Sequence, residues 1–372
     1  MSKLNASYSV QADDNYLTVT MRGYEETLPQ ACQLLARQIL MPKLDDKQLS
    51  RIKGAILGDR QQRKENTALL ANALTQYTRY QNKSSYIDEL TDKEIYELQI
   101  SELTGDINRA SNYEAEIFYC GTLPFDNAYD ILSKNLPLVA NERPSQSPQD
   151  KPLAQVTENT IYFLPNSDVE QAQISFYMPM QKYDKKDDVL RDAFYQYFSG
   201  GFNGLVINEI REKRSMAYSA NAYVATPQIL GNQTYMVGNI GTQNDKANEA
   251  INVFMGLIND MPKNAERIEN IKSYMRQEAL SSHPDFRYKA QYLKMYQQMG
   301  YQGDPAAENL PKIDALTFDD IVKFYEENIK GKPYCISIMG NPKSIDLKQL
   351  EKFGKVVRLN ERKLFNTKDT LF

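Results

Sequence analysis

The chain has 372 residues, 41% of them apolar, enough for two or three domains with cores of their own. Its 44 Lys and Arg against 48 Asp and Glu leave a net charge of −4, which argues against a dedicated nucleic-acid or anionic-membrane surface and points to protein or peptide partners. No apolar run approaches a membrane span, and Cys32, Cys120 and Cys335 lie too far apart for a zinc knuckle or a disulfide framework; all three sit in apolar runs and read as buried thiols.

From the start, "ASYSVQADDNYLTVTMRG" predicts a strand pair, followed by a helix over 25–40. Proline fits a first helical turn but not an interior one, so "MPKLDDKQLSRIK" at 41–53 marks a boundary before a longer helix opening at Asp45. Thr91, in "LTDKEIYEL", reads as the N-cap of a short helix. "EIFYCGTLP" predicts an apolar strand ending at Gly121, with a helix over 125–136 beyond it. The three prolines of "NERPSQSPQDKP" at 141–152 mark a polar linker. Strands are predicted at 160–165 and 173–179, a helix at 186–198, and then "GGFNGLVINEIREKRSMAYS" at 200–219, a Gly-led helix running into a strand. A further strand, a helix over 246–260, a break at "MPKNAERIENIK", a Thr317-capped helix, a strand ending at Gly340 and a helix over 346–353 complete the order.

That order occurs twice. Tyr8-Ser9 aligns with Tyr218-Ser219, Met41-Pro42-Lys43 with Met261-Pro262-Lys263, Thr91 with Thr317, and Gly121 with Gly340. We therefore expect two α+β copies with helices packed on one face of a largely antiparallel sheet: a truncated first copy at 4–140, a linker at 141–152 and a complete second copy at 153–372. The second copy has two strands and a helix ahead of Tyr218 that the first lacks ahead of Tyr8, so the chain reads as a fragment of something longer.

Among the candidate functional residues, Arg211 stands near the C-terminal end of a helix and can aim its five-donor fork into a groove, at a peptide carbonyl or an oxyanion. Tyr218, seven residues on, can donate to the same group. Spacing alone favours a plainer reading, an ion pair within 208–212 and a packed strand tyrosine. Gly200, Gly201 and Gly204 lack the lysine of a phosphate loop and suit close packing or capping. The sole histidine, His283, has no second imidazole at ligand spacing, so no metal ligand is assigned. Leu190, Phe194, Tyr197 and Phe198 fall at helical spacing as core. The alternating "YMVGNIG" at 235–241 suits either an edge strand or an interior one.

The segment at 200–219 resembles the C-terminal-domain signature of the insulinase/pitrilysin family of zinc metallopeptidases, and the resemblance extends over nearly the whole chain. It implies two homologous metallopeptidase-like α+β domains of the LuxS and mitochondrial-processing-peptidase kind. It also implies two halves closing like a clamshell around a peptide substrate, with zinc in one half. Arg211 and Tyr218 match the family's substrate-binding pair in the other half, where they would contact the substrate or the oxyanion. The family's His-x-x-Glu-His is absent, so no cofactor is assigned to this chain, and zinc is expected in a missing N-terminal half or a partner subunit. Arg214-Ser215-Met216 departs from the family, in which a small or glycine residue often precedes the aromatic. A second device of the family is an edge strand that pairs with the peptide backbone. Two alternatives stand beside the peptidase half: a non-catalytic scaffold subunit and a stand-alone peptide-binding module.

Overall fold

In a computed structural model, residues 1–40, 42–111, 113–136, 148–201 and 203–366 are described. Met41 and most of the linker expected at 141–152 lie outside them.

Alternating side chains in the second segment build one six-stranded sheet. Its strands are β3 (Thr160–Pro165), β4 (Gln171–Lys182), β5 (Ala217–Ala225), β6 (Gln233–Gln243), β7 (Cys335–Gly340) and β8 (Lys355–Arg358), in the order β5-β6-β4-β7-β3-β8. Three pairings are antiparallel, and β3 runs parallel to both β7 and β8. The fold is α+β. Inward residues two apart, such as Ile161 and Phe163, Ile174 and Phe176, and Ile336 and Ile338, meet the apolar stripes of helices on one face. These helices are α7 (Asp188–Phe198), α8 (Ala247–Asn259), α9 (Ile268–Ser281) and α12 (Phe318–Asn328).

The break at Met261-Pro262-Lys263 carries backbone groups that no helix can satisfy, and two buried tyrosines supply the bonds. Tyr197 OH donates to Pro262 O at 2.5 Å and accepts from Asn264 N at 2.9 Å. Tyr325 OH donates to Ile258 O at 2.9 Å and accepts from Met261 N at 3.1 Å. Tyr197, read from the sequence as core, is fully buried and holds this break as well.

The first segment opens with a two-stranded sheet, β1 (Ser7–Ala12) and β2 (Leu17–Arg22), followed by α1 (Leu28–Leu40). Next come α2 (Asp46–Glu65), α3 (Thr67–Tyr80), α4 (Asp92–Glu97), α5 (Ile100–Ser111) and α6 (Phe125–Asn135). Helix α3 crosses to the other face of the six-stranded sheet. There Leu70, Ala73 and Leu74 form a second core with Leu164, Met339, Leu359, Leu364 and Phe365.

The strand predicted before Gly121 does not form. Residues 116–120 are extended without a ladder partner, and Ile117 and Phe118 remain 47% and 42% exposed. The reason is geometric. β7, to which this stretch was aligned, lies between β3 and β4, and no strands in those places stand beside 116–120 among the described residues. Cys120, expected to be buried, is exposed for the same reason, whereas Cys32 and Cys335 are buried. The stretch is held instead by Glu25, whose carboxylate accepts from Thr122 Oγ1 and Thr122 N, each at 2.5 Å, and from Tyr119 OH. Those donors, the Thr122 hydroxyl foremost, draw its pKa down to about 2, so the clasp stays charged until the pH falls that far.

Removing the Tyr197 hydroxyl leaves Pro262 O and Asn264 N without their partner. Tyr197→Phe is therefore expected to lower the unfolding free energy by about 1–3 kcal/mol, read as a lower urea midpoint with an unchanged slope.

Candidate functional site

The stretch from 199 to 219 is shaped by backbone constraints before any side chain acts. α7 ends where the N–H groups of both Ser199 and Gly200 donate to Tyr195 O, at 2.8 and 2.7 Å. Gly201 then turns the chain with φ of +57°, a conformation in which glycine carries little strain. Gly204 comes down on the turn it has just left, so that a Cβ there would sit 2.5 Å from the Ser199 carbonyl carbon and 2.9 Å from Gly200 N. Only glycine fits such an approach. The three glycines, for which packing or capping was the reading, thus serve a tight re-entrant loop.

The helix that follows widens into a π-helical turn over Ile207–Glu212, with Lys213 N donating to Asn208 O five residues back at 2.9 Å. Such turns are frequent at functional sites. Val206 and Ile210, four apart, are fully buried, which turns Arg211 outward. The turn closes with Ser215 N donating to Arg211 O at 2.8 Å and Met216 N to Ile210 O at 3.1 Å. Ser215 takes a left-handed φ of 49°, at the place where the family signature often has a small residue or glycine. Met216 is buried and its carbonyl accepts from the Thr242 hydroxyl, fixing where β5 begins.

Among the described residues β5 pairs only with β6 and is an edge of the sheet, whereas the 235–241 stretch lies in β6, between β5 and β4, and is interior. The register slips at the start of β5: Ala217 faces Thr242 and Ser219 faces Gly241, with Tyr218 the extra residue. The resulting bulge puts two consecutive residues, Tyr218 and Ser219, on the exposed side, and Tyr218 is 66% exposed.

Charge around the turn is already sorted. Glu209 accepts from Lys213 Nζ at 2.5 Å and from Arg214 Nη1 at 2.8 Å. These two cations, Lys213 first, hold its carboxyl below the ordinary range. Arg211 is left with a loose approach to its neighbour Glu212 at 3.7 Å and is half exposed. The ion pairs of the turn therefore gather on Glu209, and Tyr218 is not packed. No hydrogen bond joins the Arg211 and Tyr218 side chains among the described residues; what links them is the closed turn between.

Sequence reasoning passed over one residue here. Ser199 is buried, and its Oγ accepts from Ala222 N on β5 at 2.8 Å. A serine closing a helix ahead of a glycine pair was the available signal. As to metal, no three His, Cys, Asp or Glu side chains converge among the described residues, and His283 is exposed just past the end of α9. The residues described do not fit a zinc site.

Residues 111–275 match the family model of the peptidase M16 inactive domain, a stretch that contains the whole 200–219 signature. No protein with a curated description matches the sequence. Among solved structures, the peptidase M16 inactive domain from Pseudomonas fluorescens superposes with a TM-score of 0.69 at 16% identity, covering 91% of this chain and 82% of that one. The ferredoxin protease FusC, in complex with Arabidopsis ferredoxin, gives 0.69 at 11% identity over 91% of this chain and 37% of its own. The periplasmic protease PqqL from Escherichia coli gives 0.66 at 13% identity over 91% and 38%. At these identities the structural likeness is one of fold.

The glycine argument is testable with an internal control. Gly204→Ala is expected to cost about 1–3 kcal/mol of stability through overpacking. Gly58→Ala, on α2 where an added Cβ meets nothing within 4 Å, is expected to add about 0.5–1 kcal/mol. Equal midpoints for the two variants in urea titrations would refute the reading of the loop.

Proposed function

We propose that this chain, which carries a peptidase M16 inactive domain over residues 111–275, is the substrate-binding, zinc-free half of a clamshell metallopeptidase acting on peptides. The observation that carries the reading is the placement of Arg211 and Tyr218. Both are exposed, one on the π-helical turn and the other in the bulge of an edge strand, with no ion pair tighter than 3.7 Å on Arg211 among the described residues. A planar guanidinium and a phenol at the two ends of one closed turn supply two donors that a single carbonyl could accept. In the assembled enzyme they would stabilise negative charge developing on the carbonyl oxygen, while the other half supplies zinc and its activated water. Duplication of one α+β domain, the first copy lacking its leading strands, belongs to the same proposal, supported by the strand pair followed by helices that opens both segments and by the Thr91 and Thr317 caps, although residues 116–120 form no counterpart of β7. FusC, solved with a ferredoxin bound, makes a folded protein a reasonable substrate class beside peptides.

Two outcomes follow. The chain alone is expected to retain no stoichiometric zinc after dialysis and to cleave no peptide; elemental analysis with about one zinc per chain, together with chelator-sensitive cleavage, contradicts this.

In the assembled enzyme, Arg211→Ala and Tyr218→Phe are each expected to lower turnover by about 10²-fold to 10³-fold with zinc content unchanged. Arg211→Lys recovers little, because a point charge lacks the planar fork. The double variant should lose less than the product of the single losses, since both donors serve one group. Turnover within about twofold of the parent for both single variants would make the two residues structural.

A further inference from the structure

The backbone gives no reason for a glycine at position 241. Gly241 lies inside β6, its φ is not left-handed as that of Gly201 is, and a glycine within a strand often marks the close approach of another group. The three atoms nearest to the place a Cβ would take are all side-chain oxygens: Ser219 Oγ at 2.9 Å, Gln173 Oε1 at 3.7 Å and Gln171 Oε1 at 3.8 Å. None of these three side chains makes a hydrogen bond among the described residues. Ser219 is exposed and both glutamines are half-buried, so solvent reaches the group although the glycine beneath it is covered.

The neighbouring row of the sheet shows which group is missing. Register places Asn221, Asn239 and Ser175 side by side, and Asn239 Nδ2 donates to Asn221 Oδ1 at 3.1 Å. Two residues along, on the same face, the same strands place Ser219, Gly241 and Gln173 side by side, with Met339 of the second core continuing the row. One row is satisfied from within by an asparagine; the other has glycine in its place, and the flanking oxygens stay unmet. Three neutral oxygens offer an ammonium no counter-charge. A primary carboxamide brings two N–H donors without charge, and its oxygen accepts in return from the Ser219 hydroxyl or a glutamine Nε2.

We propose that Ser219, Gln173 and Gln171, gathered over Gly241, form a subsite for the carboxamide of a glutamine or asparagine in the bound peptide, close to the carbonyl that Arg211 and Tyr218 hold. Ser219 directly follows Tyr218 in the bulge, which puts the subsite beside the donor pair. This rests on the reading of the chain as a peptide-binding half and gives that half a preference for one class of residue.

The test is a titration of the isolated chain, followed by NMR at the backbone amides of Gly241, Gln173 and Tyr218. The probes are millimolar acetylated and amidated pentapeptides Val-Ala-Xaa-Ala-Val, with Xaa as Gln, Glu, Lys or Met. The Gln peptide is expected to bind about tenfold more tightly than the other three, as one or two hydrogen bonds would give, with shifts at all three amides. Gly241→Asn supplies the missing amide from within, as Asn239 does one row along, and is expected to erase the preference while the four peptides still bind. Gln173→Glu adds a carboxylate and is expected to move the preference to the Lys peptide; should Gly241→Asn fail to fold, this variant decides alone. Equal affinities of the four peptides for the parent chain, or a Gln preference that survives the substitutions, overturn the subsite and leave the peptide-binding reading standing. Absence of binding by all four overturns both.

Discussion

The candidate site depends on a contact too close for any side chain, that of Gly204 on the backbone of Ser199. It brings the chain back on itself after α7 and sets the angle at which the next helix leaves. From that start Val206 and Ile210 reach the core, Arg211 turns out, and the turn closes through Ser215 and Met216 into β5. The same contact holds the Ser199 hydroxyl against Ala222 N. A single steric requirement therefore bears on both the turn that carries Arg211 and the Ser199 contact with β5.

Electrostatics does the remaining selection. Three cations crowd the turn, and a single carboxylate, Glu209, binds two of them. Lys213 and Arg214 together hold the Glu209 carboxyl below the ordinary range, and both pairs are present at neutral pH. Its contribution to stability is complete above the unfolded carboxylate pKa and is lost as the pH falls through the lowered folded value. Arg211 is left with the loose approach of Glu212 at 3.7 Å. The cost of this arrangement is local, a non-glycine residue at φ of 49° in Ser215, and non-glycine residues in that region carry roughly 1–2 kcal/mol of strain.

Features that depend on local chemistry were legible in the sequence. Thr91 and Thr317 cap their helices with reciprocal bonds to Glu94 and Asp320, as a hydroxyl three residues before a carboxylate predicts. The Met-Pro-Lys break at 261 separates α8 from α9, and the helical spacing of Phe194, Tyr197 and Phe198 places all three in the core. Features that depend on neighbours distant in sequence were not legible. Residues 116–120 have the composition of a strand, but a strand needs something to pair with. Whether 235–241 lay at an edge could not be read because edge position belongs to the sheet, not to the strand. The bulge at Tyr218 and the π-helical turn each insert one residue into a regular pattern, and periodicity is blind to a single insertion. Arg211 and Tyr218 could be named from spacing and resemblance, whereas Ser199 emerged only when its hydroxyl was seen to meet a backbone amide 23 residues away.

The two segments are unequal in how they are held, and this bears on how they unfold. A two-stranded sheet alone is marginal in water, and every residue of β1 is exposed. The first segment therefore draws its stability from helices and from the second segment, chiefly through α3. Leu70 and Leu74 of that helix are almost fully buried against side chains of β3 and β7, on the face that α7, α8 and α12 leave open. Arg79 O accepts from Ala154 N at 2.7 Å, tying the end of α3 to the chain just ahead of β3. Pulling α3 away would expose the reverse side of the sheet at β3 and β7. Helix α3 of the first segment is, in energetic terms, a second layer on the sheet of the second.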